Sequence, residues 1–187
     1  RHGLASLIVN QAGFAVQDVL AAALAEKLKH LDPDVIVGLP TLGLTLAAAV
    51  ARALGHSRYV PLGTSRKFWY VDDLSVSLTS ITTPDQVKRL YVDPRMLPLI
   101  EGKRVVLIDD VVSRSQGGHR AVEGEEVGVL AVGLREQPVA LGVAMAQSMR
   151  WRDHLTLAGR DWSDAVLSVF QTPRLVRGDH GGWLLEG

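Results

Sequence analysis

The stretch RVVLI, Arg104–Ile108, carries four consecutive apolar residues straight into two adjacent acids, Asp109 and Asp110. A strand that is apolar on both pleats must be covered on both faces, which is the condition of an interior strand in a parallel sheet. Two neighbouring carboxylates repel each other unless a cation or a set of hydroxyl donors lies between them. The end of this strand therefore asks for a ligand.

The rest of the chain alternates helices with further short apolar strands. Ala15–Leu31 places Val16, Val19, Leu20, Ala23, Leu24 and Leu28 on one helical face, with Gln, Asp, Glu and Lys largely opposite. Asp34–Gly38 is a short β-branched run closed by Gly and Pro, and TLGLTLAAAVARALG reads as a helix from about Leu42 that Gly55 terminates. SRYVPLG and PVALGVAMAQ are further strand candidates. Gly117–Leu134 has the length of a helix, weakened by Gly118, Gly124, Gly128 and Gly133. Residues 71–99 are dense in Ser, Thr and Pro and hold neither period, and 151–187 read as an irregular tail with three of the four tryptophans. No repeat or linker divides the chain. The expected architecture is a single α/β domain over 1–187, an open parallel-rich sheet flanked by helices.

Bulk composition excludes several functions. Apolar residues make up 47% of the 187, enough for a real core, and Lys plus Arg equals Asp plus Glu at 20 each. No global basic field attracts nucleic acid or membrane, so anion binding must be local. With no cysteine there are no disulfides or thiolate metal sites. The apolar runs fall short of the ~20 residues of a membrane span, and RHGLASLIVNQAG lacks a signal-peptide pattern. A cytoplasmic location is the expectation. The histidines (residues 2, 30, 56, 119, 154 and 180) show no pair at zinc-ligand spacing.

In open α/β sheets, ligands sit at the carboxyl ends of the strands. Two such ends stand out. At GLPTLG, the N–H groups of Thr41, Leu42 and Gly43 would meet the following helix's dipole and suit a phosphate; the alternative is an ordinary turn with Thr41 as N-cap. At Asp109–Asp110, the carboxylates could bind Mg²⁺ or accept hydrogen bonds from sugar hydroxyls; the alternative is a solvated strand end.

VVLIDDVVS resembles the ribose-phosphate motif of type I phosphoribosyltransferases, in which an apolar strand leads into two acids and a small-residue phosphate loop. DVIVGLPTLGLTLAAAVARALG followed by VPLGTSRK is similar to the matching part of the adenine and xanthine members, and the likeness spans roughly Val16–Ser113. The resemblance implies that Asp109 and Asp110 face the ribose hydroxyls of phosphoribosyl pyrophosphate, directly or through Mg²⁺ and its waters. It implies that Thr41, Leu42 and Gly43 contact pyrophosphate through the main chain, and that Lys67, with Arg66, adds positive charge. Residues 71–99 fall where the family keeps a flexible lid loop, with Lys88, Arg89 and Tyr91 as its working residues or, equally, as a solvated surface.

One stretch departs from the family pattern. Where a Thr- and Gly-rich loop wraps the 5′-phosphate, this chain reads SRSQGG. Ser113, Ser115 and Gly117 can still donate, but Arg114 and Gln116 bring bulk to the phosphate's approach, unless Arg114 binds it through its side chain. A modified working site, a site without catalysis and a misread segment all fit that pattern. The base would lie under a small hood from about 151–187, with Phe170, Trp162, Trp183 and the Phe68–Tyr70 trio as aromatic candidates. The implied function is transfer of the 5-phosphoribosyl group to a nitrogenous base, a purine by local similarity, by a Mg²⁺-dependent homodimer. The alternatives are a regulator that binds the sugar pyrophosphate without chemistry and an inactive family member.

Overall fold

β-Branched and leucine side chains in uninterrupted runs build the centre of the molecule. The computed structural model describes residues 2–5, 7–78, 88–112, 138–149, 151–152, 156–157, 160–178 and 181–185. Its elements are β1 (His2–Leu4), α1 (Phe14–Leu28), β2 (Val35–Gly38), α2 (Gly43–Ala53), β3 (Val60–Pro61), β4 (Ser75–Leu78), β5 (Lys88–Tyr91) and β6 (Val105–Val112), followed by β7 (Ala140–Gln147), β8 (Thr156–Leu157), β9 (Arg160–Asp161), β10 (Val166–Thr172), β11 (Arg174–Arg177) and β12 (Trp183–Leu185). Five strands form a parallel sheet in the order β10-β7-β6-β2-β3.

The pleat sorts this sheet's side chains into two cores. Ile36, Val106 and Ile108 pack with Leu20, Leu24, Leu28, Leu46 and Val50 of the two helices. Val35, Val37, Val105 and Leu107 pack on the other face with Leu90, Val92, Ile100, Trp151 and Trp162. Both helices thus cover one face, and extended segments cover the other among the described residues. None of the described helices is long and apolar enough to cross a membrane.

The structure corrects several expectations. Val16 and Val19 of α1 are 45% and 68% exposed, whereas Gln17, Ala21 and Ala25 are buried. Leu20, Leu24 and Leu28 are buried as expected, but the stripe turns toward Ala21 and Ala25, and Gln17 satisfies its amide by donating to the Ala12 carbonyl at 2.7 Å. Residues 71–99 are not without structure. β4 and β5 pair antiparallel, Ser75 opposite Tyr91, and a 3-10 turn follows over Pro94–Leu99. The tail is not irregular either: β10 joins the main sheet, and β11 and β12 form a small antiparallel sheet with β1. The lid positions 79–87 and the helix expected over 117–134 lie outside the described residues.

α2 ends as its sequence requires. Gly55 adopts φ +85°, and its N–H donates to the Arg52 carbonyl at 3.0 Å while His56 N–H reaches the Ala51 carbonyl at 2.9 Å. These paired bonds close the helix with the orphan carbonyls satisfied.

Candidate active site

The carboxyl ends of β2, β3 and β6 lie side by side at one edge of the sheet, and they carry the turns singled out above. β2 ends at Gly38, and a turn through Pro40, Thr41 and Leu42 enters α2 at Gly43; the Pro40–Thr41 peptide is cis. Thr41 is not the N-cap. That position belongs to Leu42, no side chain caps the helix, and no acid stands in its first turn. The first amides of α2 are therefore left to a ligand or water. Thr41 is exposed, Leu42 half-buried and Gly43 buried.

Gly43 is buried because it faces the acid pair. A Cβ at this position would stand 2.7 Å from both the Cα and Oδ1 of Asp109, and 2.8 Å from the Ile108 carbonyl oxygen. Only a residue without a side chain lets the start of α2 come this close to β6. The phosphate-type turn and the acid pair, which the family resemblance assigns to one ligand, thus meet at Gly43 and Asp109.

β6 does not stop at the acids but continues through them to Val112. Because successive side chains leave a strand on opposite faces, the two carboxylates do different things. Asp109 is half-buried and accepts the Asp110 N–H on Oδ1 at 2.8 Å, while Asp110 is 7% exposed.

β3 leads into the loop of Arg66 and Lys67, both exposed. Arg66 Nε pairs with Asp72 Oδ1 at 3.2 Å, across a solvent-exposed gap. Among the described residues Lys67 has no ion pair, and its carbonyl accepts the Tyr70 N–H at 3.0 Å to close a tight turn. Of the two expected cations, Lys67 is the one without an ion pair among the described residues.

The remaining candidates separate. Lys88 lies on β5 opposite Leu78. Arg89 donates to Ser75 Oγ at 2.9 and 2.7 Å, and Tyr91 is buried. Trp162, 2% exposed, belongs to the core, and Phe170 packs against the helical side. Trp183 lays its ring over Gly3 in the small sheet, whereas Phe68 is 96% exposed. Ser113, Arg114, Ser115 and Gly117 lie outside the described residues.

Sequence reasoning missed a cluster beside the Lys67 turn. Asp93 caps the 3-10 turn, accepting Arg95 N–H at 3.0 Å and Arg95 Nε at 2.9 Å on Oδ1, and Trp69 Nε1 at 3.0 Å on Oδ2. The Arg95 guanidinium, then the Arg95 and Trp69 N–H donors, hold the Asp93 carboxyl well below the usual carboxylate range. Burial raises the nearby Tyr70 hydroxyl. The order Asp93-Pro94, an N-cap before a first-turn proline, was the available signal.

Residues 9–116 match the family model for the phosphoribosyl transferase domain. The chain belongs to that family. The match takes in Thr41–Gly43, Arg66, Lys67, Asp109 and Asp110. No curated protein sequence matches the chain. Among solved structures, the adenine phosphoribosyltransferase of Thermoanaerobacter pseudethanolicus is 17% identical, with 88% of this chain and 84% of that one aligned at a TM-score of 0.60. The Giardia lamblia enzyme, complexed with 9-deazaadenine, is 18% identical over 88% and 83% at a TM-score of 0.61. The Trypanosoma brucei adenine phosphoribosyl transferase, solved with AMP, pyrophosphate and ribose-5-phosphate, is 17% identical over 88% and 66% at 0.61. At these identities the likeness establishes the fold: a type I phosphoribosyltransferase sheet with flanking helices.

Proposed function

We propose that this chain transfers the 5-phosphoribosyl group of phosphoribosyl pyrophosphate to a purine base. A ring nitrogen of the base bonds to ribose C1′ as the C1′–O bond to pyrophosphate breaks. The bonding pair departs with pyrophosphate, and the base loses its N–H proton. The observation that carries this reading is the contact of Gly43 with Asp109, because it brings the start of α2 and a carboxylate to one spot. A ligand that is a polyanion at one end and a diol at the other is what such a spot fits.

The roles follow from the chemistry. Main-chain N–H groups at Thr41, Leu42 and Gly43 hold pyrophosphate, and Lys67 offsets the charge that grows on it as it leaves. Asp109 accepts hydrogen bonds from the ribose hydroxyls, and Asp110 sustains the negative field behind it. Ser113, Arg114, Ser115 and Gly117 hold the 5′-phosphate. Arg66 is the weaker contributor, since Asp72 already neutralises it. The hairpin of β4 and β5, with Lys88, covers the reacting centre, and the small sheet of β1, β11 and β12 forms part of the hood.

The acids also suit Mg²⁺, which takes hard oxygen donors and completes its shell with substrate phosphate and water rather than a protein cage. Among the described residues no three His, Cys, Asp or Glu side chains stand together as such a cage, and Asp109 beside a phosphate-binding turn fits a metal shared with the substrate. Bound there, Mg²⁺ supplies further charge neutralisation to the departing pyrophosphate. The purine preference draws on the 9-deazaadenine and AMP ligands of the similar structures. A reducing, cytoplasmic setting suits a chain without cysteine, and the working unit is a homodimer.

Incubation with phosphoribosyl pyrophosphate, Mg²⁺ and each purine and pyrimidine base tests the proposal, with nucleotide and pyrophosphate as the readout. Product with adenine, hypoxanthine, guanine or xanthine supports it. Product with a pyrimidine alone removes the purine assignment. Tight binding of the sugar pyrophosphate with no product from any base assigns the chain to ligand sensing instead.

A further inference from the structure

Resting on the phosphoribosyltransferase reading, we propose that Trp69 is a positioning residue that, with Asp93 and Arg95, fixes the turn carrying Lys67 and so sets where that cation meets pyrophosphate. Lys67 has no side-chain partner of its own among the described residues. Its backbone is placed instead by the three residues after it. Lys67 opens the turn that the Tyr70 N–H closes, and Trp69 is the turn's third residue. The Trp69 indole N–H donates to Asp93 Oδ2 at 3.0 Å, and the Arg95 guanidinium lies 4.7 Å from the Trp69 ring centroid. Tyr70 stacks at a tilt on Tyr91, centroids 5.6 Å apart.

The other end of the loop is tied to the same strand. Gly63 and Tyr91 exchange backbone hydrogen bonds of 3.1 and 2.8 Å. Residues 63–70 are therefore anchored at both ends to 91–95, at the base of the hairpin. Asp93 is 9% exposed, so its bonds are sheltered from competing water. Trp69 is 39% exposed and adds little to the core. An indole in this place is explained by its polar contact and its cation, rather than by burial.

A binding cycle tests this without requiring turnover. Titration calorimetry with Mg²⁺ present measures phosphoribosyl pyrophosphate and pyrophosphate binding to wild type, Trp69→Phe, Lys67→Ala and the double variant. Trp69→Phe keeps a ring under Arg95 but removes the N–H donor, and Asp93 keeps Arg95. The single change is expected to weaken both ligands about five- to tenfold, and to cost less than about twofold once Lys67 is already alanine. Unchanged affinity in Trp69→Phe overturns the inference alone. Equal losses with and without Lys67 also overturn it, because general damage does not depend on which cation is present. A wild type that binds neither ligand defeats the transferase reading, and this inference with it. Should Trp69→Phe fail to fold, Arg95→Met taken through the same cycle decides.

Discussion

Aspartates stand before the amino end of β2, at Asp32 and Asp34, and in the carboxyl half of β6, at Asp109 and Asp110, and the two places use them differently. At the amino ends, Arg104 clamps Asp34 with its N–H at 2.8 Å, Nε at 3.0 Å and a terminal nitrogen at 3.1 Å, and it reaches Asp32 at 2.9 Å. In return the Asp34 N–H donates to the Arg104 carbonyl at 3.0 Å. Both carboxylate oxygens of Asp34 are engaged in holding strand to strand. At the carboxyl ends, Asp109 takes an amide from its own neighbour, and the residue facing it is a glycine at the start of a helix. The neighbour across the gap differs: a bidentate guanidinium for Asp34, and the backbone of Gly43 for Asp109, the carboxylate proposed to face a ligand.

The largest expected effect comes from neutralising the carboxyl-end pair. Asp109→Asn with Asp110→Asn should lower the transfer rate by about 10³-fold or more, the scale of lost electrostatic stabilisation at a reacting centre. Tm should move only a few degrees, since neither change removes a residue from the strand. Initial rates with the accepted base, measured beside a melting curve, check both halves. A double variant with more than about a tenth of wild-type activity would erase the distinction between the two ends.

Gly43→Ala sharpens the comparison next. The added methyl meets backbone atoms of Ile108 and Asp109, which cannot swing away, as well as Asp109 Oδ1. Overpacking of this kind costs about 1–3 kcal/mol, or roughly 2–12 °C in Tm for a chain of this size. It also parts the helix start from Asp109, so pyrophosphate affinity should fall about tenfold through lost alignment of the first amides. Thermal melts and pyrophosphate titration are the measurements. Normal values in both would mean that α2 does not approach β6 as described.

How much of this was legible beforehand depended on whether the signal was local. Val105–Ile108 declared an interior strand because every residue was apolar, and Gly55 marked the end of α2 because it followed the last periodic residue. The acid pair and the phosphate-type turn were each visible, and the family resemblance put both on one ligand, but the contact that joins them was not. Gly43 carries no mark in sequence that it faces Asp109 rather than solvent. The face of α1 was right for Leu20, Leu24 and Leu28 and misjudged at its edge, where Gln17, Ala21 and Ala25 are buried in place of Val16 and Val19, which hydrophobic spacing ranks above them. β4 and β5 escaped notice as four-residue strands, since their stability comes from pairing with each other, Ser75 with Tyr91, across intervening chain. The Trp69–Asp93 bond likewise joins residues 24 apart, and no local period encodes it.

The smallest effect lies at the amino ends and has a defined pH window. Hydrogen bonds from Arg104 hold the Asp34 carboxyl below the usual carboxylate range. A carboxyl depressed in the folded state stabilises the fold fully above its unfolded value of about 4, and the contribution is lost as pH falls from there toward the folded value. Asp34→Asn should therefore lower Tm at pH 7, by no more than about 3 °C because the pair is solvent-exposed. The gap between variant and wild type should narrow as the medium is taken below about pH 4, and it should shrink at pH 7 in high salt as the ions are screened. Transfer rate at pH 7 should be unchanged. Melting curves of both proteins from pH 7 to pH 2 provide the check. A gap that stays constant through that range would mean that Asp34 fastens the strands by shape and hydrogen bonding alone, and charge would then cease to distinguish the two ends.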